Sequence, residues 1–152
     1  MKILFVCTGN SCRSVMAQFL LNRMAAQRGL SDWEARSAGI AAERHFPVPD
    51  GVRNALRERE IVEIQHIPQL VHRELLGWAD AVLPMTRMHR DALLDEYPEY
   101  TDKTFVFLDY AGQGKEDVAD PIGRPDAIYL RCRDIIEGGL KAIVERHVSK
   151  SP

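Results

Sequence analysis

The stretch Cys7–Ser14, with the sequence C-T-G-N-S-C-R-S, most constrains what this chain can fold into. It follows the apolar run Ile3–Val6, which is typical of a strand buried on both faces. Residues 15–28 then contain no glycine or proline and carry apolar side chains at helical spacing. The stretch is therefore predicted to be a turn from a buried strand into a helix. Main-chain N–H groups of such a turn point into one small concavity, which favours an anion.

The residue types in this turn fit the transfer of a phosphoryl group through cysteine. Cys7 would lie near a helix N-terminus and near the guanidinium of Arg13, and both favour the nucleophilic thiolate. Arg13 offers a planar fork of donors that suits two phosphoryl oxygens. Gly9 is expected to let the loop curl around the anion. The hydroxyl of Ser14 can donate a hydrogen bond to the Cys7 sulfur when that sulfur has to leave.

Composition narrows the class of protein. A chain of 152 residues, 45% hydrophobic and 28% charged, is expected to form one globular domain over residues 1–152. The net charge of −2 gives no electrostatic reason to expect nucleic acid or an anionic membrane as a partner. No apolar run reaches membrane-spanning length and no signal peptide is evident, so a cytoplasmic location is expected. Three cysteines and five scattered histidines favour neither a disulfide framework nor a metal site, and no cofactor is expected.

Strands alternate with helices along the chain. The predicted strands are 3–6, 33–38, 81–83 and 105–108, and the predicted helices begin near residues 15, 50, 73, 86 and 126. This order predicts an α/β fold, a three-layer sandwich in which helices cover both faces of a parallel sheet. Ligands of such a fold bind at the carboxyl ends of the strands.

A second chemical element lies in the long loop before the last predicted helix. The loop contains Asp120-Pro121-Ile122, and a carboxylic acid on a loop can protonate a leaving group. Taken alone, an Asp-Pro pair is more often a turn former. The residues by themselves leave both interpretations of Asp120 open.

The octet resembles the phosphate loop of the low-molecular-weight protein tyrosine phosphatases. The same form occurs in two relatives, the bacterial protein arginine phosphatases and the thioredoxin-linked arsenate reductases. The Ser37-Ala38-Gly39 turn, Met85-Thr86 and Asp120-Pro121 follow in the order of the family. The resemblance implies a flavodoxin-like fold with a four-stranded parallel sheet. It also implies hydrolysis through a phosphocysteine on Cys7, with Arg13 binding the phosphoryl group and Asp120 as general acid and base.

Further roles follow from the same resemblance. Asn10 is expected to brace the loop, and main-chain donors from Thr8 to Arg13 are expected to bind the substrate, so Ser11 and Cys12 belong to the predicted site. His66 falls where family members often have a histidine that supports the loop. The implied partner is a phosphorylated protein, bound by a monomer.

Departures from the family pattern leave the choice between phosphotyrosine and phosphoarginine open. Ile122 stands where tyrosine-specific members usually have an aromatic residue. Glu43 stands at a usual tryptophan position, with Phe46 nearby as a replacement wall. Ser11 is polar, like the threonine found there in arginine phosphatases, and Glu43 could pair with a substrate guanidinium. Both specificities remain alternatives at this point.

Two alternatives belong to other classes. Arsenate reduction needs two further cysteines close together downstream, and none lies between Cys12 and Cys132. A non-catalytic phosphate-binding module would not need the thiol of Cys7. Separately, Cys12 is a candidate for a disulfide with Cys7 that protects the nucleophile from over-oxidation.

Overall fold

Three parallel strands form the sheet that carries Cys7. The structure is a computed structural model that describes residues 1–150. Strands β1 (Lys2–Cys7), β2 (Glu34–Gly39) and β3 (Ala81–Pro84) lie in the order β2-β1-β3. Five of the six residues of β1 are buried, because this central strand is covered on both faces. Cys7 pairs with Gly39 at the carboxyl edge of the sheet.

Helices cover both faces of this sheet. Successive side chains of β1 point to opposite faces, so Ile3 and Phe5 meet one set of helices while Leu4 and Val6 meet another. The helices are α1 (Arg13–Gln27), α2 (Asp50–Arg57), α3 (Arg73–Trp78), α4 (Arg87–Glu96), α5 (Phe107–Tyr110) and α6 (Asp126–Ser149), with a 3-10 segment at Pro98–Lys103. The first set is α1, α2, α5 and α6, and the second is α3 and α4. The three layers therefore agree with the predicted α/β class.

The prediction of a fourth strand at 105–108 is wrong. The chain makes a single parallel bridge there, between Val82 and Thr104, and then turns into α5. Phe107 is fully buried in that short helix, and its ring packs edge-on against Phe5 with centroids 5.9 Å apart. A short apolar run can be buried as a helical turn as well as a strand, and the run alone does not distinguish the two. Within residues 1–150 the sheet has three strands rather than four.

The longest helix, α6, is tied to α2 as well as to the sheet. Its buried residues include Ile136, Leu140 and Ile143, which recur at helical spacing. Arg133 of α6 is buried, and its Nη1 donates to the main-chain oxygen of Ala55 at 2.8 Å. No helix within residues 1–150 has both the length and the apolar character needed to cross a membrane.

Candidate active site

The loop between β1 and α1, residues 8–12, is called the nucleophile loop below, and two residues set its shape. Asn10 has a backbone φ of 52°, in the left-handed region that asparagine tolerates better than most residues. The expectation that Gly9 supplies this freedom is wrong, because Gly9 has no positive φ. Gly39 of β2 lies against the loop, and a Cβ there would collide with the main-chain oxygen of Thr8. The curl of the loop therefore depends on a glycine of the neighbouring strand.

Polar contacts beneath the loop set the direction of the Ser14 hydroxyl. The N–H of Gln69 donates to Asn10 Oδ1 at 3.0 Å, so Asn10 Nδ2 faces the other way and donates to Ser14 Oγ at 2.9 Å. Ser14 Oγ lies 2.9 Å from Cys7 Sγ. Because the Ser14 oxygen accepts from Asn10, its O–H is free to donate to the Cys7 sulfur. His66 Nε2 also lies 2.8 Å from the main-chain oxygen of Asn10.

Arg13 is buried at the start of α1 and presents two donors to the space above the loop. Its Nη1 donates to the main-chain oxygen of Val118 at 3.0 Å. The N–H of Val118 donates in turn to Met85 O at 3.0 Å, just beyond β3. Nε of Arg13 is buried without a hydrogen-bond partner, and Nη2 lies 3.5 Å from the Asp120 carboxylate. Nε and Nη2 share one edge of the guanidinium, the arrangement that binds two phosphoryl oxygens at once.

A pocket of about 300 Å³ opens above the nucleophile loop. Cys7 and Arg13 lie at its base and are almost fully buried, whereas the Asp120 side chain is 44% exposed. Phe46 and Ile122 are half-exposed apolar walls. Nucleophile, cation and carboxylate thus face one space that is open to a substrate. The lining comprises Cys7, Thr8, Gly9, Ser11, Cys12, Arg13, Ala41, Phe46, Asp120 and Ile122.

The structure brings nine of the twelve predicted site residues to this pocket. Asn10 and Ser14 lie beneath the loop instead, fully buried. Glu43 is outside the pocket lining, and its exposed carboxylate lies 3.4 Å from His45 Nε2. Ala41 lines the pocket although the sequence did not single it out, and its N–H donates to the main-chain oxygen of Thr8 at 2.9 Å. The available signal was its place two residues after Gly39, at the carboxyl end of β2.

A buried histidine, His89, was also missed by the sequence reasoning. It lies on α4, and its Nε2 is 2.8 Å from Thr8 Oγ1 in the nucleophile loop. Burial, aided by the positive charge of Arg13, lowers the pKa of His89 to about 4. His89 is therefore neutral at physiological pH and adds no second cation beside Arg13. The sequence feature that could have identified His89 is Thr86, which is predicted to cap a helix. In the structure Thr86 Oγ1 accepts the N–H of His89 at 3.0 Å, so α4 begins at the carboxyl end of β3.

Acid should destabilise the fold through His89. The pKa is about 4 in the folded protein against 6.5 as the ordinary value, so the unfolded chain takes up the proton first as pH falls. The free energy of unfolding should therefore decrease as the pH falls from 6.5 towards 4. His89 should account for about 2 kcal/mol of this decrease by pH 4.5. His89→Gln does not titrate and keeps a nitrogen near Thr8, so its urea midpoint should change less with pH.

The matched control is His45→Gln, because His45 is exposed on the loop after β2. That variant should keep the wild-type pH dependence of the urea midpoint. Some dependence should also remain in His89→Gln, since burial lowers the pKa of His66 in the same direction. An unchanged pH dependence in His89→Gln would contradict the prediction.

The other two cysteines are buried thiols. Burial raises the pKa of Cys12 to about 11 and the pKa of Cys132 to about 12, so both are protonated at neutral pH. Cys132 lies on α6 with its sulfur 3.8 Å from the main-chain oxygen of Ala119. All three cysteines are free, and the disulfide between Cys7 and Cys12 stays a prediction. Among residues 1–150, no group of three or more His, Cys, Asp or Glu side chains could hold a metal ion.

Comparison with known proteins finds similarity over nearly the whole chain. The family description "Low molecular weight phosphotyrosine protein phosphatase" matches residues 2–151. A protein-arginine-phosphatase of Geobacillus stearothermophilus is 36% identical over 145 residues, 95% of each chain. The low molecular weight protein-tyrosine-phosphatase PtpB of Staphylococcus aureus is 30% identical over 130 residues, 86% of this chain and 87% of PtpB. A solved cysteine-to-serine mutant of YwlE arginine phosphatase, with a phosphorylated active site serine, matches with a TM-score of 0.92 and 33% identity, covering 99% of this chain and 97% of YwlE.

Proposed function

Because the chain belongs to the low-molecular-weight phosphotyrosine protein phosphatase family, we propose that it hydrolyses phosphotyrosine or phosphoarginine in proteins through a phosphocysteine on Cys7. It is a cysteine-dependent protein phosphatase. One observation carries the assignment of roles. The Cys7 sulfur, the donor edge of Arg13 and the Asp120 carboxylate all face one pocket at the carboxyl edge of the sheet. In the YwlE mutant the active site serine holds the phosphoryl group, which supports Cys7 as its acceptor here.

The first chemical step forms the phosphocysteine. The thiolate of Cys7 attacks phosphorus, and the bond from phosphorus to the leaving oxygen or nitrogen breaks. The electron pair of that bond takes a proton from the Asp120 carboxylic acid. Arg13 and the first N–H groups of α1 stabilise the charge that develops on the phosphoryl oxygens, because Arg13 Nε has no hydrogen-bond partner and no side chain caps the start of α1.

The second step returns the enzyme to its starting state. The Asp120 carboxylate takes a proton from water while the water oxygen attacks phosphorus. The bond between phosphorus and sulfur breaks, and Cys7 leaves as a thiolate with its electron pair. Ser14 Oγ lies 2.9 Å from that sulfur, so its hydroxyl stabilises the charge that returns to Cys7. Inorganic phosphate is released, and Asp120 holds the proton for the next turnover.

The apolar rim of the pocket supports phosphotyrosine as the substrate, because its phosphate is attached to a phenyl ring. Phe46 and Ile122 both line the mouth of the pocket and are half-exposed. His45 stacks on Phe46 with ring centroids 4.6 Å apart and an interplanar angle of 29°, which holds the Phe46 ring. A tyrosine side chain whose phosphate lies over Cys7 would pass between these walls, and aromatic contact with Phe46 would favour it.

Phosphoarginine is the second candidate, and the polar side of the pocket favours it. The Ser11 hydroxyl lies in the pocket lining, and the Asp120 carboxylate at the rim is 44% exposed. A guanidinium carries N–H donors along its plane, which carboxylate and hydroxyl oxygens accept. The protein-arginine-phosphatase of Geobacillus stearothermophilus is also more similar to this chain than PtpB, at 36% against 30% identity.

Phosphate release from phosphotyrosine and phosphoarginine peptides of one sequence tests the proposal. Wild-type protein should release phosphate, and Phe46→Ala should lower kcat/KM for phosphotyrosine by about five- to ten-fold because an aromatic contact is lost. The effect of this variant on phosphoarginine should be smaller. Phe105→Ala removes an exposed aromatic ring outside the pocket and should change neither value. Release from neither peptide by wild-type protein would overturn the proposal.

A further inference from the structure

We propose that a groove beside the pocket binds the substrate polypeptide that flanks the phosphorylated residue. The groove measures about 560 Å³, larger than the pocket itself, and is lined by Ala42, Arg44 and residues 67–72. Its occupant is an extended segment of the substrate that carries a branched apolar side chain and an acidic side chain. This inference rests on the proposed function, because that function supplies a protein substrate.

The two segments that form the groove both contact the nucleophile loop. Ala41 lines the pocket and donates its N–H to Thr8 O at 2.9 Å, and the next residue, Ala42, begins the groove. On the other side, the N–H of Gln69 donates to Asn10 Oδ1 while Gln69 also lines the groove. The groove therefore begins at Ala42, one residue along the chain from the pocket lining. A polypeptide whose phosphorylated side chain enters the pocket has its neighbouring residues at this groove.

Leu70 leaves a main-chain edge open for such a segment. Gly39 donates its N–H to Gln69 O at 2.8 Å, and Val71 donates its N–H to Gly39 O at 3.0 Å, which makes the parallel bridge between Gly39 and Leu70. In a parallel ladder the N–H and C=O of the bridged residue between these two bonds point the other way. Those of Leu70 therefore face away from β2, where an extended peptide can pair as an added strand.

The side chains of the groove define what that segment carries. Ile67 is 62% exposed and Leu70 is 54% exposed, so a branched aliphatic side chain of the substrate would bury apolar surface there. Arg44 and His72 lie in the same lining and are exposed. Arg44 has no ion-pair partner within residues 1–150, unlike the adjacent His45. Its unpaired charge complements an acidic side chain of the substrate.

Two charge-introducing variants, Ile67→Glu and Arg44→Glu, test this inference. The probes are two phosphopeptides with a leucine-aspartate pair before or after the phosphorylated residue, the same peptides with alanines instead, and 4-nitrophenyl phosphate. Each variant should lower kcat/KM about ten-fold for the better leucine-aspartate peptide. Hydrolysis of 4-nitrophenyl phosphate should be unchanged, and the alanine peptides should be affected less. The effect of Arg44→Glu should shrink at high salt.

Matched controls separate docking from a general effect of added negative charge. Val62→Glu changes a 65% exposed apolar residue outside the groove, and Arg131→Glu changes an exposed arginine of α6. Neither should alter the turnover of any probe.

Each remaining outcome decides the inference. Wild-type peptide turnover in both groove variants, with normal turnover of 4-nitrophenyl phosphate, would overturn docking and leave the proposed function standing. No turnover of any probe by wild-type protein would overturn the proposed function, and docking with it. A wild-type dimer in sedimentation that Ile67→Glu dissociates would assign the groove to a second copy of the chain, which also overturns substrate docking.

Discussion

Cys7→Ser should abolish the turnover of phosphorylated peptides, with a loss on the order of a million-fold, as for the nucleophile of a hydrolase. The active site serine of the YwlE mutant holds a phosphoryl group, so a serine here is expected to accept the phosphoryl group and then retain it. A serine oxygen leaves phosphorus far less readily than a thiolate, and turnover therefore stops at the second step. Phosphate release from a phosphopeptide under multiple-turnover conditions measures the loss.

Binding distinguishes this chemical effect from unfolding. Cys7→Ser leaves Arg13 and its bond to Val118 O untouched, so titration with inorganic phosphate should still show binding. Cys132→Ala removes a buried thiol outside the pocket lining and should keep most of the activity. Measurable turnover by Cys7→Ser would exclude Cys7 as the group that carries the phosphoryl intermediate.

Asp120→Asn should slow the first chemical step by about 100- to 10,000-fold for substrates with poor leaving groups. Asparagine has the shape of aspartate but cannot transfer a proton to the departing atom. The local geometry should survive, since Asp120 Oδ1 only accepts the N–H of Ile122 at 3.1 Å and an amide oxygen accepts as well. A series of aryl phosphates measures the effect, which should shrink as the leaving group becomes more acidic.

Loss of the ion pair between Asp120 and Arg13 would also slow the Asp120→Asn variant. The same series of aryl phosphates distinguishes this cause from loss of the proton donor. Asp120 lies 3.5 Å from Arg13 Nη2, so losing its charge also changes the surroundings of the guanidinium. Equal slowing for every leaving group would indicate that Asp120 positions Arg13 and donates no proton. Asp117→Asn is the control on the same loop, because Asp117 accepts the N–H of Arg87 at 3.0 Å and lies outside the pocket.

The nucleophile loop could be predicted from the sequence because the information is local. Strand, turn and helix follow one another within 27 residues, and the roles of Cys7 and Arg13 depend on that short context. The role of Asp120 as general acid could be predicted only from the family resemblance, because an isolated Asp-Pro pair more often forms a turn. The same local pattern did not reveal which neighbour takes the left-handed backbone. Asn10 takes it because its side chain bonds Gln69 and Ser14, which glycine cannot do.

The features that sequence reasoning missed depend on contacts between distant parts of the chain. His89 and Thr8 are 81 positions apart and meet only because α4 starts beside the end of β1. The segment at 105–108 has the composition of a buried strand, yet burial of Phe107 against Phe5 is achieved in a helical turn. The family resemblance predicts that Glu43 lies at the mouth of the pocket, but in the structure its side chain pairs with His45 instead.

The donor that begins the chain of bonds to Cys7 belongs to the main chain of Gln69. Every amino acid except proline has this N–H, so evolution can change the side chain at position 69 without losing the orientation of Asn10 and Ser14. Position 69 also lines the groove proposed for the substrate. Selection for a new protein substrate can therefore act at this position while the chemistry at Cys7 is inherited unchanged.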